Sequence, residues 1–121
     1  MDKQTAQRVL DRLHQVQNLV YQGGDLAELG EVLGSDIAWH VPGNNAIAGD
    51  YYGREQVVDY MSHRRDLAVA TMRMYPLDLL VGEGDRVAVL TDGTATIHGV
   101  DHSWSTVGLY EIRDQRIAVC W

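Results

Sequence analysis

The sequence predicts an α+β domain with three helices, all in its N-terminal half, packed on one face of an antiparallel sheet. Three observations carry this. Apolar residues recur at helical spacing up to about residue 67, the period shifts to two beyond residue 71, and the later segments are joined by short polar turns.

The first helix covers Thr5 to Gln22, where Val9, Leu10, Leu13, Val16, Leu19 and Val20 repeat at steps of three and four. Gly23-Gly24 stops it. Asp25 can cap a second helix, with Leu26, Leu29, Val32 and Leu33 on one side, ended by Gly34-Ser35. Ile37, Trp39 and Val41 then alternate with Ala38 and His40, a strand closed by Pro42-Gly43. Asn44 to Gly53 is turn-rich. A third helix from about Arg54 to Leu67 buries Val57, Val58, Tyr60 and Met61. Strands follow at roughly 71–81, 86–98, 102–113 and 116–121. The separators Gly82-Glu83-Gly84-Asp85, Gly99-Val100-Asp101 and Asp114-Gln115 are short enough to make consecutive hairpins. No repeat or linker interrupts a single domain over 1–121.

Composition narrows the function. With 17 acidic against 10 basic residues the net charge is −7, the wrong sign for binding a phosphate backbone. No apolar run approaches a membrane span, and the first residues carry no secretory signal, so a cytoplasmic protein is expected. The single cysteine, Cys120, excludes an internal disulfide. His98 and His102 flank a turn with Asp101, but a polar hairpin tip needs no metal and a third strong ligand is lacking; neither metal nor cofactor is expected.

The order helix, helix, strand, loop, helix has Tyr21-Gln22-Gly23-Gly24-Asp25, Trp39-His40-Val41-Pro42-Gly43 and Ala48-Gly49-Asp50-Tyr51-Tyr52-Gly53-Arg54 at its junctions. It resembles the SnoaL-like branch of the nuclear transport factor 2-like superfamily, which includes polyketide cyclases and ketosteroid isomerase-like enzymes. The resemblance implies a strongly curved antiparallel sheet, cone-shaped around one internal pocket, with Tyr51 as the aromatic of a Gly-x-Tyr-x-Gly turn. It also implies a C-terminal tail over the pocket mouth; a chain ending at Cys120-Trp121 is a short member or lacks that tail. Position by position, the family's acids are replaced. Val41 stands where isomerase-like members carry a carboxylate, and Gln17 where they carry an oxyanion-donating tyrosine. Ser105 stands at the second oxyanion donor, and Gly108 at the aspartate of the cyclases.

Two titratable residues remain as catalytic candidates. Asp92, amid the apolar run from Val87 to Thr91, is a pocket carboxylate or a bulge residue beside Gly93. His40 is the usual type of proton shuttle, but points away from Trp39 and Val41. His14 and His63, beside charged residues on helices, are expected in solvent. Gln17, Trp39, Val41, Tyr51, Tyr60, Met72, Met74 and Ser105 are the candidate substrate-binding residues. Large aromatic and sulfur-bearing side chains suit an apolar pocket, although without phenylalanine they must also fill the core.

Two functions fit. One is an enzyme acting on a hydrophobic cyclic or polyketide-like molecule by proton transfer or by positioning. The other is a non-catalytic ligand-binding or dimeric interaction module. The strand at 102–113 carries Trp104, Thr106, Tyr110 and Ile112 on one side and Val107 and Leu109 on the other. Both sheet faces would then be covered, most economically in a homodimer.

Overall fold

A computed structural model describes all residues, 1–121. Helix α1 (Lys3–Tyr21) starts at Asp2, whose carboxylate accepts from the Thr5 backbone N–H at 2.7 Å. The second helix is shorter than its apolar spacing suggests: a 3₁₀ turn (Leu26–Glu28) capped by Asp25 runs into one turn of α2 (Leu29–Val32). Strand β1 (Leu33–Val41) therefore begins four residues ahead of Ile37. A short strand, β2 (Gly49–Tyr52), lies inside the stretch expected to be only turn. Then come α3 (Arg54–Leu67), β3 (Arg73–Val81), β4 (Arg86–Ile97), β5 (Val100–Arg113) and β6 (Arg116–Cys120).

The six strands form one curled, open sheet in the order β2-β1-β6-β5-β4-β3. All neighbours are antiparallel except β1 and β6, which run parallel, so the sheet is mixed rather than purely antiparallel. The hairpins follow the separators read from the sequence, but the middle turn is tighter. His98 and Gly99 alone form it, both at positive φ (52° and 76°), and Asp114 and Gln115 do the same at 51° and 60°. Two consecutive left-handed residues match the twist of the flanking strands.

Burial alternates along β4. Val87, Val89, Thr91 and Ala95 face inward beneath the helices, while Leu90, Asp92 and Thr94 face out. The pairing of β4 with β5 passes through Asp92 and Gly93 without a shift, so no bulge is present there. Gly93 has another role: a Cβ at this position would overlap the indole of Trp104, its partner on β5, which lies across the bare backbone.

Helix α1 buries Ala6, Val9, Leu10, Leu13, Val16 and Val20, but Leu19 points to solvent. Each large apolar side chain so buried is worth about 1.5–3 kcal/mol. The helix is also fixed by a polar clamp. The Asn18 side chain donates to the Met74 carbonyl (2.9 Å) and accepts from the Met74 N–H (2.8 Å), giving β3 a two-point partner where it meets the helix. Arg54, at the start of α3, donates twice to the Leu33 carbonyl (3.1 and 2.9 Å) and ties α3 to β1. No helix is long and apolar enough to cross a membrane.

Asn18→Ala removes both halves of the clamp and leaves a half-buried N–H and C=O unpaired. We expect it to lower unfolding stability by about 2 kcal/mol, measured by urea denaturation, with little change in the denaturant slope.

Candidate functional site

Between the helices and the inner face of the sheet lies a group of polar and aromatic side chains from five elements. On α1 the residues are His14, Gln17 and Tyr21, spaced to share one helical face and all buried. Tyr60 and Arg64, one turn apart, come from α3. Trp39 comes from β1, Tyr110 from β5 and Cys120 from β6.

Aromatic contacts link them. Tyr51 meets Tyr60 at 4.7 Å between ring centroids, Tyr60 meets Trp39 at 6.2 Å, and Trp39 meets Tyr110 edge-on at 6.1 Å. Tyr110 in turn meets the His14 ring at 6.5 Å. Tyr51 is held by its own hydroxyl, which donates to the Ile47 carbonyl at 2.6 Å. Over β5 the inner face is less covered: Trp104 and Gly108 are half-buried and Thr106 is exposed.

His14 is the unexpected member. It is only 3% exposed, contrary to the solvent-facing position expected beside Asp11 and Arg12, because the face carrying Leu10 and Leu13 also carries residue 14 inward. Its Nδ1 lies 2.7 Å from the Leu10 carbonyl. A carbonyl can only accept, so Nδ1 carries the hydrogen and Nε2 presents a free lone pair. Burial pushes the imidazole below its ordinary value of 6.5, against smaller opposing effects of the Leu10 carbonyl and Asp11. It is a neutral base at pH 7.

Arg64 is the second. Its guanidinium lies over the rings of Tyr21 (5.3 Å) and Tyr60 (5.6 Å), and Nη1 donates to the Tyr21 hydroxyl at 3.0 Å. None of the ion pairs of the molecule includes it. Its Nε is the only fully buried side-chain nitrogen or oxygen without a partner. Cation–π contacts of this kind return about 2 kcal/mol or less each, against a cost of several kcal/mol for withdrawing a charge from water. Desolvation acts against the charge, and the Tyr21 and Tyr60 hydroxyls beside it act the other way, leaving its value raised. Desolvation raises the phenols of Tyr21, Tyr60 and Tyr110, which stay protonated, and pushes the Cys120 thiol up to about 12.

The candidates read from the sequence divide between the two faces. Gln17, Trp39 and Tyr60 belong to the inner group, with Tyr51 and Val41 half-buried at its edge. Met72 and Met74 are buried on the inner face with the α1 side of the core. Asp92 and Ser105 lie opposite each other on the outer face, where the Ser105 hydroxyl donates to the Asp92 carboxylate at 2.6 Å. His40 is also on the outer face. Its Nδ1 lies 2.8 Å from Asp50, and its ring stacks on Trp121 at 6.3 Å and meets Tyr52 edge-on. Strict alternation puts both catalytic candidates there: neighbours Trp39 and Gly93 face in, so His40 and Asp92 face out. His14 and Arg64 escaped the sequence reading, though both share a helical stripe with recognised apolar residues, Leu10 and Leu13 for one, Val57 and Met61 for the other. No group of three or more His, Cys, Asp or Glu side chains is arranged to hold a metal ion.

The neutral state of His14 makes stability depend on pH. The unfolded chain takes up a proton on this residue near pH 6.5 and the folded chain resists it, so stability is fully present above that value and is lost as pH falls. Denaturation between pH 7.5 and 5 should show a decline approaching about 1.4 kcal/mol per pH unit at most, and His14→Leu should flatten it.

Known structures share this fold. Bal32a, from a soil-derived mobile gene cassette, superposes with a TM-score of 0.81 at 22% identity, over 96% of this chain and 88% of that one. A nuclear transport factor 2-like protein of unknown function from Burkholderia pseudomallei gives 0.75 at 19%, over 93% and 86%. TerC, co-crystallized with polyporic acid, gives 0.73 at 17%, over 93% and 87%. At these identities the likeness is one of fold. No curated protein matches the sequence. The SnoaL-like domain family matches residues 14–120, from the buried histidine of α1 to the end of β6, and the chain belongs to that family.

Proposed function

We propose that the protein binds a hydrophobic cyclic, polyketide-like molecule against the inner face of its sheet and moves a proton on it, with His14 as the base. The observation that carries this reading is the His14 tautomer: Nδ1 is committed to Leu10, and Nε2 is left as an unprotonated acceptor in an aromatic setting. Trp39, Tyr51 and Tyr60 supply flat apolar surface, and Gln17 supplies a hydrogen-bonding amide beside it. TerC, which shares the fold, was co-crystallized with polyporic acid, which supports a small-molecule ligand. A cytoplasmic setting suits the lone unpaired cysteine.

The chemistry is enolisation. A C–H bond beside a ligand carbonyl breaks, the proton goes to Nε2, and the electron pair moves onto the carbonyl oxygen as an enolate. Return of the proton, at the same or another carbon, restores His14. Replacement of the family's usual carboxylates by Val41 and Gly108 leaves this imidazole as the neutral-pH base of the inner group.

Deuterium exchange of the α-protons of 2-tetralone in D₂O, followed by NMR, tests the reading. The protein should accelerate exchange well above buffer, and His14→Gln should reduce the acceleration about 100-fold or more. Exchange at the buffer rate, with the ligand bound, would assign the protein to the non-catalytic binders.

One observation favours a dimeric module alongside either activity. The outer face of β3, β4 and β5 is apolar: Leu80 on β3, Leu90 on β4, and Val107 and Leu109 on β5, continued by Trp121, with Leu80 and Val107 66% and 67% exposed. Trp121 exchanges backbone hydrogen bonds with Leu109, which keeps the patch continuous across β5. A second copy would cover it. Light scattering at micromolar concentration should give twice the chain mass, and Val107→Lys should give the monomer.

A further inference from the structure

We infer that the apolar edge of β3 is held closed by an autoinhibitory contact: Asn18, Arg73 and Asp78 occupy the backbone groups with which a strand from a second copy of this chain would pair, and Pro76 withholds another. The inference is independent of any ligand on the inner face.

The strand order leaves β3 and β2 at the two ends of the sheet, each with one side that no strand covers. Such an edge is a template for another chain, the more so when it is apolar, and β3 exposes Tyr75, Leu77 and Leu80. Alternation identifies its outward backbone groups. Gly82 donates to the Arg86 carbonyl across the hairpin at 2.9 Å, so Leu80 and Asp78 also turn their backbone groups toward β4, and Leu79 turns its own away. The register shifts between Pro76 and Asp78, and ahead of that bulge Met72, Met74 and Pro76 are the residues that point away.

Each of these positions is closed in a different way. The Met72 carbonyl accepts from Arg73 Nη1 at 2.8 Å. Met74 has both its groups taken by the Asn18 carboxamide, which donates and accepts as a residue of a neighbouring strand would. Pro76 has no N–H to give. The Leu79 N–H donates to the Asp78 carboxylate at 2.8 Å. The same device recurs on the opposite edge. There Gly53 donates to the Ile37 carbonyl, which turns Tyr52 outward, and the Tyr52 N–H donates to Gln56 Oε1 at 2.8 Å. An incoming strand would have to break bonds already made and would leave its own carbonyl unpaired opposite Pro76, so little is gained by pairing.

Light scattering at micromolar and near-millimolar concentration, with infrared detection of the amide I band of an intermolecular sheet, tests this in the Val107→Lys background, where the outer face is blocked. The background chain should hold one mass across the range without that band. Opening the edge with Asn18→Ala, Pro76→Thr and Asp78→Ala together should raise the mass about two-fold or more at the higher concentration, and the band should appear. Leu13→Ala, a core truncation that leaves every edge bond in place, controls for loss of stability and should behave as the background does. An opened chain that keeps the background mass would overturn the inference. So would the same growth and band in the Leu13→Ala chain, or in the background itself. A background chain of constant double mass would count against the outer-face dimer and leave the closed edge standing. Should the triple variant fail to fold, Pro76→Thr with Asp78→Ala, which keeps the Asn18 clamp, decides the matter by the same readouts.

Discussion

The placement of helix α1 governs the rest of the molecule, and the Asn18 clamp on Met74 is the contact that sets it. Apolar burial alone would let a helix slide or roll on the inner face of a curled sheet, because hydrophobic contact is non-directional. Two hydrogen bonds to one backbone residue of β3 fix both its height and its rotation. With α1 held in that way, Leu13, Val16 and Val20 fill the space over β3 and β4, and His14, Gln17 and Tyr21 turn toward the middle of the sheet. Arg54 does the same for α3 by gripping the Leu33 carbonyl, which aims Tyr60 and Arg64 at the same region.

The two helices thus carry the ionisable groups, and the strands carry rings packed against them. Trp39 and Tyr110 stand on β1 and β5 in one row across the sheet, because Cys120 of the intervening β6 pairs with both. The glycines of β4 and β5 serve this directly. Gly93 admits the Trp104 indole and Gly108 the Tyr110 ring, each lying over a position where a Cβ would collide. Large rings can lie flat on the inner face because the strands beneath them are bare at those points.

The inner group holds one neutral imidazole and one guanidinium that is in no ion pair. The two differ in kind: His14 is a neutral acceptor at Nε2, and Arg64 is a cation. Protonated tyrosines between and around them keep the local dielectric low. On the other side of the sheet, the His40–Asp50 pair and the Asp92–Ser105 pair are open to water and apart from this group.

Taken by itself, the sequence determined the fold class and, to within a residue or two, the places where the chain turns, because these follow from local periodicity and from glycine and proline chemistry. The family pattern at Trp39–Gly43 and Gly49–Gly53 was legible for the same reason. The parallel pairing of β1 with β6, the strand hidden in Gly49–Tyr52 and the depth of His14 were decided only in three dimensions. Strand order depends on contacts between residues some eighty positions apart, and no local spacing records it. A histidine between charged neighbours reads as exposed until the helix is laid on its sheet. An arginine reads as a surface cation until the tyrosines that enclose it, forty-three residues away in one case, are brought beside it. Tertiary packing sets the solvent around each group, and solvent decides how far the ionisation of a side chain departs from that of a surface charge.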